Sequence, residues 1–165
     1  MKIRLRGLFT FILLILSIST ISTVFAQCNG SIPTNTNLNF TDIVWSGTGC
    51  VPPASGSYTG DLNLSLANNS LLIIDMDMII SGNFTITNSG SSTIQIPAGI
   101  TLEVTGDLGD STNNNVSFII DGILIVGGTL YGTNNNLFKG SGIVDAASIS
   151  FKTEPTCAFD FNITW

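Results

Sequence analysis

The sequence predicts an all-β chain, a short right-handed parallel β-helix with coils of about 22 residues. Three observations predict it: a glycine-led motif that recurs at near-constant spacing, apolar residues that alternate within each unit, and no helical periodicity after residue 26. The motif is Gly60-Asp61-Leu62, Gly82-Asn83-Phe84, Gly106-Asp107-Leu108 and Gly128-Thr129-Leu130, evenly spaced apart from a small insertion in the middle interval. At one fixed place after each of the first three glycines stand Leu72, Ile94 and Phe118, and two positions further on stand Ile74, Ile96 and Ile120. The next position is a turn former or strand breaker each time: Asp75, Pro97 and Asp121.

Alternation such as Leu62-x-Leu64-x-Leu66 or Leu102-x-Val104 marks strands with one buried face. A single coil cannot bury its own inward face, whereas stacked copies form one apolar column and satisfy each other's backbones. An antiparallel sandwich is the rival architecture. Its hairpin turns would come at intervals of about 8 to 12 residues, and its strands would have no reason to resemble one another.

Three segments precede, open and fill this pattern. Residues 1–26 read as a signal peptide with a helical core: basic Lys2, Arg4 and Arg6, an apolar run from Leu8 to Leu16 broken by Thr10, and small residues up to Ala26. The apolar run is shorter than the roughly 20 residues a membrane-spanning helix needs. Cleavage after Ala26 leaves Gln27 first, and Gln27 in front of Cys28 departs from a lipoprotein acceptor. Residues 27–59 lack the motif and hold Trp45 and Val51-Pro52-Pro53, which reads as an irregular N-terminal cap over an otherwise open solenoid end. Residues 60–165 carry the repeats. At their end Phe159 to Trp165 still alternates with no polar cap behind it, so either Trp165 folds back onto the last coil or the chain is the front of something longer.

Composition narrows function mainly by exclusion. Beyond residue 26 there are two lysines, Lys139 and Lys152, against eleven acidic residues, a net charge of −9 with no arginine and no histidine. Nucleic acid is not an expected partner, and no membrane insertion is expected after signal cleavage. A chain bound for an oxidising compartment with Cys28, Cys50 and Cys157 accommodates one disulfide, for which Cys28 and Cys50 are the candidates because both precede the repeats. Neither cysteine spacing nor the histidine-free composition suits zinc, and no Asp-rich loop suits calcium, so no metal or other cofactor is expected.

The grammar of Ser81-Gly82-Asn83-Phe84-Thr85-Ile86-Thr87 and Ile94-Gln95-Ile96-Pro97-Ala98-Gly99-Ile100-Thr101-Leu102 resembles the pectin-lyase-like β-helix segments of secreted Bacteroidetes surface proteins. The resemblance covers roughly residues 58–151 and implies a secreted, extracellular or outer-surface location. It carries no catalytic signature. Enzymes on this fold that cleave acidic polysaccharides by elimination use a strong base with cations or calcium, and the two separated lysines have no acidic cluster at a matching position. Asp110-Ser111-Thr112 looks like the short O-glycosylation acceptor of such exports.

Paired carboxylates for glycoside hydrolysis must lie about 5 to 9.5 Å apart. Asp75 with Asp77, and Asp107 with Asp110, are the candidate pairs. Asp75 and Asp77 lie two apart on a strand-like run and would share a face, but the flanking Ile74, Met76 and Met78 read as a core-facing strand with a solvated outer face. Asp75 and Asp121 share a repeat position with Pro97, which fits a corner, and Asp61 and Asp107 share one with Asn83 and Thr129, which fits a turn. Asn113 to Asn115 and Asn134 to Asn136 stand close to one coil apart and fit either an amide ladder or solvated loops. The sequons at Asn29, Asn39, Asn63, Asn68, Asn83, Asn115 and Asn162 follow from composition. A threonine array for ice is not repeated beyond Thr85 and Thr87.

The expected function is a non-catalytic structural or adhesive module, with no catalytic residues. Its expected partners are extracellular glycans or cell-surface components, and other copies of itself through the solenoid ends. The alternative is a carbohydrate-binding or polysaccharide-active β-helix, for which Tyr58, Tyr131, Trp45 and Trp165 are the aromatic candidates.

Overall fold

The computed structural model describes residues 26–51, 53, 56–88, 90–110, 112, 116–131, 138–150 and 161–162. The signal segment up to residue 25, both asparagine triplets, Ser111, Lys152, Cys157 and Trp165 lie outside the described residues.

The chain folds as a three-sided parallel β-solenoid. Its strands are β1 (Gln27–Ile32), β2 (Asn37–Asn39), β3 (Ser57–Thr59), β4 (Asp61–Leu66), β5 (Leu71–Ile73), β6 (Met78–Ser81) and β7 (Phe84–Asn88). They continue as β8 (Ser92–Ile96), β9 (Thr101–Val104), β10 (Val116–Ile120), β11 (Ile123–Tyr131), β12 (Phe138–Lys139), β13 (Ile143–Ser150) and β14 (Phe161–Asn162). Each coil contributes to three sheets in turn, ordered β1-β4-β7, then β12-β10-β8-β5-β2, then β14-β13-β11-β9-β6-β3. Parallel bridges from Phe84 to Leu108 and from Leu108 to Leu130 carry the first sheet on to the later coils. β11 turns from the third face to the first at Gly127-Gly128, where its register against β13 shifts.

The repeat positions become vertical columns. Cys28, Leu62, Phe84, Leu108 and Leu130 stack inward on the first face. On the second face Leu38, Leu72, Ile94, Phe118 and Phe138 are in register, and Ile96 lies beside Ile120. Met78, Leu102, Leu124 and Val144 form the third. Apart from half-buried Leu38 every one of these side chains is buried, which is how a strand's two-residue period becomes a continuous core.

Residues 27–59 are more regular than the missing glycine motif suggests. β1 pairs with β4 and β2 with β5, so solenoid pairing starts at Gln27, ahead of Gly60. Cys28, Gly30 and Ile32 occupy the places of Leu62, Leu64 and Leu66. What hides this coil in the sequence is an insertion that stretches its spacing to 34 residues, seen in the Asn63 to Asn29 amide bond.

The insertion is the cap. A 3-10 turn at Phe40–Asp42 leads into a segment whose Ser46 pairs antiparallel with Asn29, covering the free edge of β1. Gly30 leaves a hole in the first coil's inward face, and Ile43 and Trp45 fill it: a Cβ at Gly30 would lie 2.7 Å from Ile43 Cγ2 and 3.0 Å from the Trp45 ring. Phe40 ties the plug to the core, with its ring 5.4 Å from Trp45 and 6.2 Å, edge-on, from Phe84.

A disulfide joins Cys28 to Cys50, pinning the inserted loop to β1 with Cα atoms 5.0 Å apart. Closing a loop of sequence separation 22 restricts the unfolded chain by about 3 kcal/mol. The double variant Cys28→Ala, Cys50→Ala is therefore expected to lose about that much in urea denaturation. A loss below about 1 kcal/mol would mean that the plug holds without its staple.

Candidate functional site

The corners decide what the polar residues do. Gly60, Gly82, Gly106 and Gly128 stack at one corner, bound by backbone amides that run from Gly106 to Gly82 O and from Gly128 to Gly106 O, at 2.9 and 3.0 Å. The following residue stitches the coils. Asp61 Oδ1 accepts the amide of Asn83 at 2.8 Å, Asn83 Oδ1 accepts that of Asp107 at 2.9 Å, and Asp107 Oδ1 accepts that of Thr129 at 2.7 Å. The glycine makes room for this ladder, since a Cβ at Gly106 would overlap Asn83 Oδ1 and one at Gly128 would overlap Asp107 Oδ1. A carboxylate or amide oxygen thus satisfies an amide that a sharp corner would otherwise leave unpaired.

The remaining candidate acids behave alike. Asp75 accepts the amide of Thr41 at 3.2 Å and its hydroxyl, from the preceding coil. Asp121 reaches the other way, to the amide of Ser141 at 3.1 Å, and Asp77 accepts the amide of Thr101 at 2.8 Å. Asp75 and Asp77 sit at a corner outside any strand, each bound to a different coil, so they do not form a facing pair. Asparagine ladders occur, but away from the triplets: Asn63 Nδ2 donates to Asn29 Oδ1 at 3.2 Å, and Asn69 Nδ2 to Asn35 Oδ1 at 3.3 Å. Asn35 and Asn69 both have φ of 56°, the left-handed conformation that asparagine tolerates at a corner.

The aromatic candidates separate by burial. Trp45 and Tyr58 are core residues: Trp45 belongs to the plug, and Tyr58 pairs in register with Ile80. Of the described candidates Tyr131 alone is half-exposed on an outer face. The Tyr58 hydroxyl donates to Ala26 O at 3.2 Å, and burial, followed by the nearby Asp61 carboxylate, pushes its phenol above the ordinary 10.0. A raised folded-state value means that this contribution to stability is intact below pH 10 and is lost as pH rises through the folded value. Chemical denaturation across pH 9 to 12 is expected to show that alkaline loss in the wild type and less of it in Tyr58→Phe. Equal losses would remove Tyr58 from the explanation.

Among the described residues, shallow recesses lie on two of the outer faces. One, of about 320 Å³, crosses the second face over Leu71, Thr93, Gln95, Ser117 and Ile119. The other, of about 330 Å³, lies on the first face between Asn83 and Thr85 on one side and Tyr131 on the other, with Asp107, Gly109 and Asp110 between them. It exists because Gly109, next to the single bridge at Leu108 and at φ of 95°, puts no side chain on the face between Thr85 and Tyr131. Here Asp107 and Asp110 do come together. Asp110 Oδ1 accepts the amide and hydroxyl of Thr112, at 2.8 and 2.9 Å, which fixes the turn.

Among the described residues no group of three or more His, Cys, Asp or Glu side chains is placed to hold a metal, and no helix is long and apolar enough to cross a membrane. Compared with protein-family models, with curated proteins and with solved structures, the chain has no significant match, so the case for its function rests on its own residues.

Proposed function

We propose that the chain is a non-catalytic structural and adhesive module, exported through a cleaved signal peptide and displayed outside the cell. One observation carries the reading: Asp61, Asp75, Asp77, Asp107 and Asp121 each accept a backbone amide from a neighbouring coil. Carboxylates that a hydrolase would spend on acid and base work are staples of the rod. The plugged N-terminal end and the cross-coil amide ladders suit a part that holds its shape and presents a surface. The resemblance of the repeats to secreted surface β-helices and the basic, apolar N-terminus point the same way.

Fractionation of the native host with N-terminal sequencing tests this. The expected result is a product that begins at Gln27, is cut by protease added to intact cells, and releases no sugar fragments from neutral or acidic polysaccharides. A cytoplasmic product with an intact N-terminus, or enzymatic release of fragments by the purified protein, would overturn the reading.

A further inference from the structure

We infer that the first-face recess at Tyr131 is a binding site for one ring of a neutral saccharide. This goes beyond the structural reading and rests on its adhesive half. The recess lies over Gly109, which stands in the sheet between Thr85 and Tyr131 and carries no side chain: its amide donates to Phe84 O, and Leu108 O accepts the amide of Tyr131. Neighbouring strands lie about 4.8 Å apart, so the strands of Thr85 and Tyr131, either side of this bare glycine, stand roughly 10 Å apart, about the breadth of a pyranose ring lying over the floor. Its volume of about 330 Å³ is at the small end of the roughly 300–1,000 Å³ found for ligand sites.

The chemistry of the walls selects the ligand. Tyr131 is a half-exposed ring, able to stack on the C–H face of a sugar. The other lining residues carry polar atoms that the fold leaves unused. Asn83 and Asp107 each spend Oδ1 on a neighbouring coil, and Asp110 spends Oδ1 on Thr112. Among the described residues nothing engages Asn83 Nδ2, Asp107 Oδ2, Asp110 Oδ2 or the Thr85 hydroxyl. That set offers carboxylate acceptors, an amide donor and a hydroxyl, which vicinal sugar hydroxyls engage as donors and acceptors together. The Oδ1 bonds fix the side chains before a ligand arrives, so little ordering is left to oppose binding.

Charge sets the specificity. The two aspartates have no cation beside them in the recess, and the chain beyond residue 26 carries −9 overall. Uronates, sulfated sugars and phosphates are therefore repelled, and a neutral sugar is not. Gly109 keeps the floor open, because a Cβ there would stand 3.1 Å from Tyr131 O and 3.2 Å from Tyr131 Cβ.

The test is an array of neutral, uronate-containing and sulfated oligosaccharides probed with the purified full chain, followed by calorimetry on whatever it retains. The expected result is retention of neutral glycans only, weakened about tenfold by Tyr131→Ala, the size of one lost stacking contact, and changed less than about threefold by Tyr131→Phe. If Tyr131→Ala proves unstable in a thermal melt, Thr85→Arg, which fills the recess from the opposite wall, is expected to abolish retention. No retained glycan, a preference for acidic glycans, or binding unchanged in the variants would overturn the proposal. Binding is measured on purified protein, so its failure is separate from any failure in where the chain is displayed.

Discussion

Gly82→Ala is expected to destabilise the protein by about 3 kcal/mol or more, the upper range for forcing atoms into a filled space. The added Cβ would overlap Gly60 O and stand 2.6 Å from Gly60 C. These are backbone atoms, held in the coil above and unable to swing aside as a side chain would. The corner ladder runs through the same place, since Asp61 Oδ1 lies 3.0 Å from the site. Either the coils separate locally or the Asp61 to Asn83 bond is lost. Gly99→Ala is the control: φ there is 82°, but no atom lies within 4 Å of the added carbon, so only the left-handed strain of about 1 kcal/mol applies. Urea denaturation of the pair separates steric stacking from conformational preference, and equal losses would mean that the glycine column is not closely packed.

Phe118→Ala is expected to cost about 3 to 5 kcal/mol, and Phe118→Leu less than about 1.5 kcal/mol. Phe118 is 2% exposed, and its ring lies parallel to that of Phe138 with centroids 4.9 Å apart. Truncation leaves a cavity inside the column where Ile94 and Phe138 flank it in register. Each inner coil shares its faces with two neighbours, so the loss is expected to appear in the main cooperative transition. A separate early transition in the alanine variant would show that the later coils unfold as their own unit.

The repeat from Gly60 to Leu130 is legible in the sequence because stacking imposes the same steric demand on every coil: a residue without a side chain at one corner, and an apolar one at each inward place. The first coil obeys the same pairing but satisfies it differently. Gly30 takes the place of Leu64, and the missing volume is returned from outside the coil by Ile43 and Trp45. No local pattern encodes that exchange, because the residues that fill the hole lie in an insertion and meet Gly30 only after folding.

Asp61, Asn83 and Asp107 read as turn formers, which they are. That their side chains reach the next coil depends on the 22- and 24-residue register, which a single turn motif does not reveal. Of the aromatic candidates the sequence places only Tyr131 inside the regular coils, and Tyr58 in the segment before them. Burial separates them, because Tyr58 falls at an inward place of the third face and Tyr131 at an outward place of the first. The recess itself comes from the missing side chain of Gly109, one glycine in a chain with many.

The parallel stacking is tested most directly by backbone NOEs in the isotopically labelled protein. The account predicts cross-strand contacts between residues one coil apart, joining Leu62 with Phe84, Thr93 with Leu71 and Leu102 with Met78, in unbroken parallel ladders along each face. Contacts that instead join sequence neighbours in antiparallel hairpins, such as β4 with β5 or β7 with β8, would contradict the solenoid and with it the corner ladders, the plug and the recess.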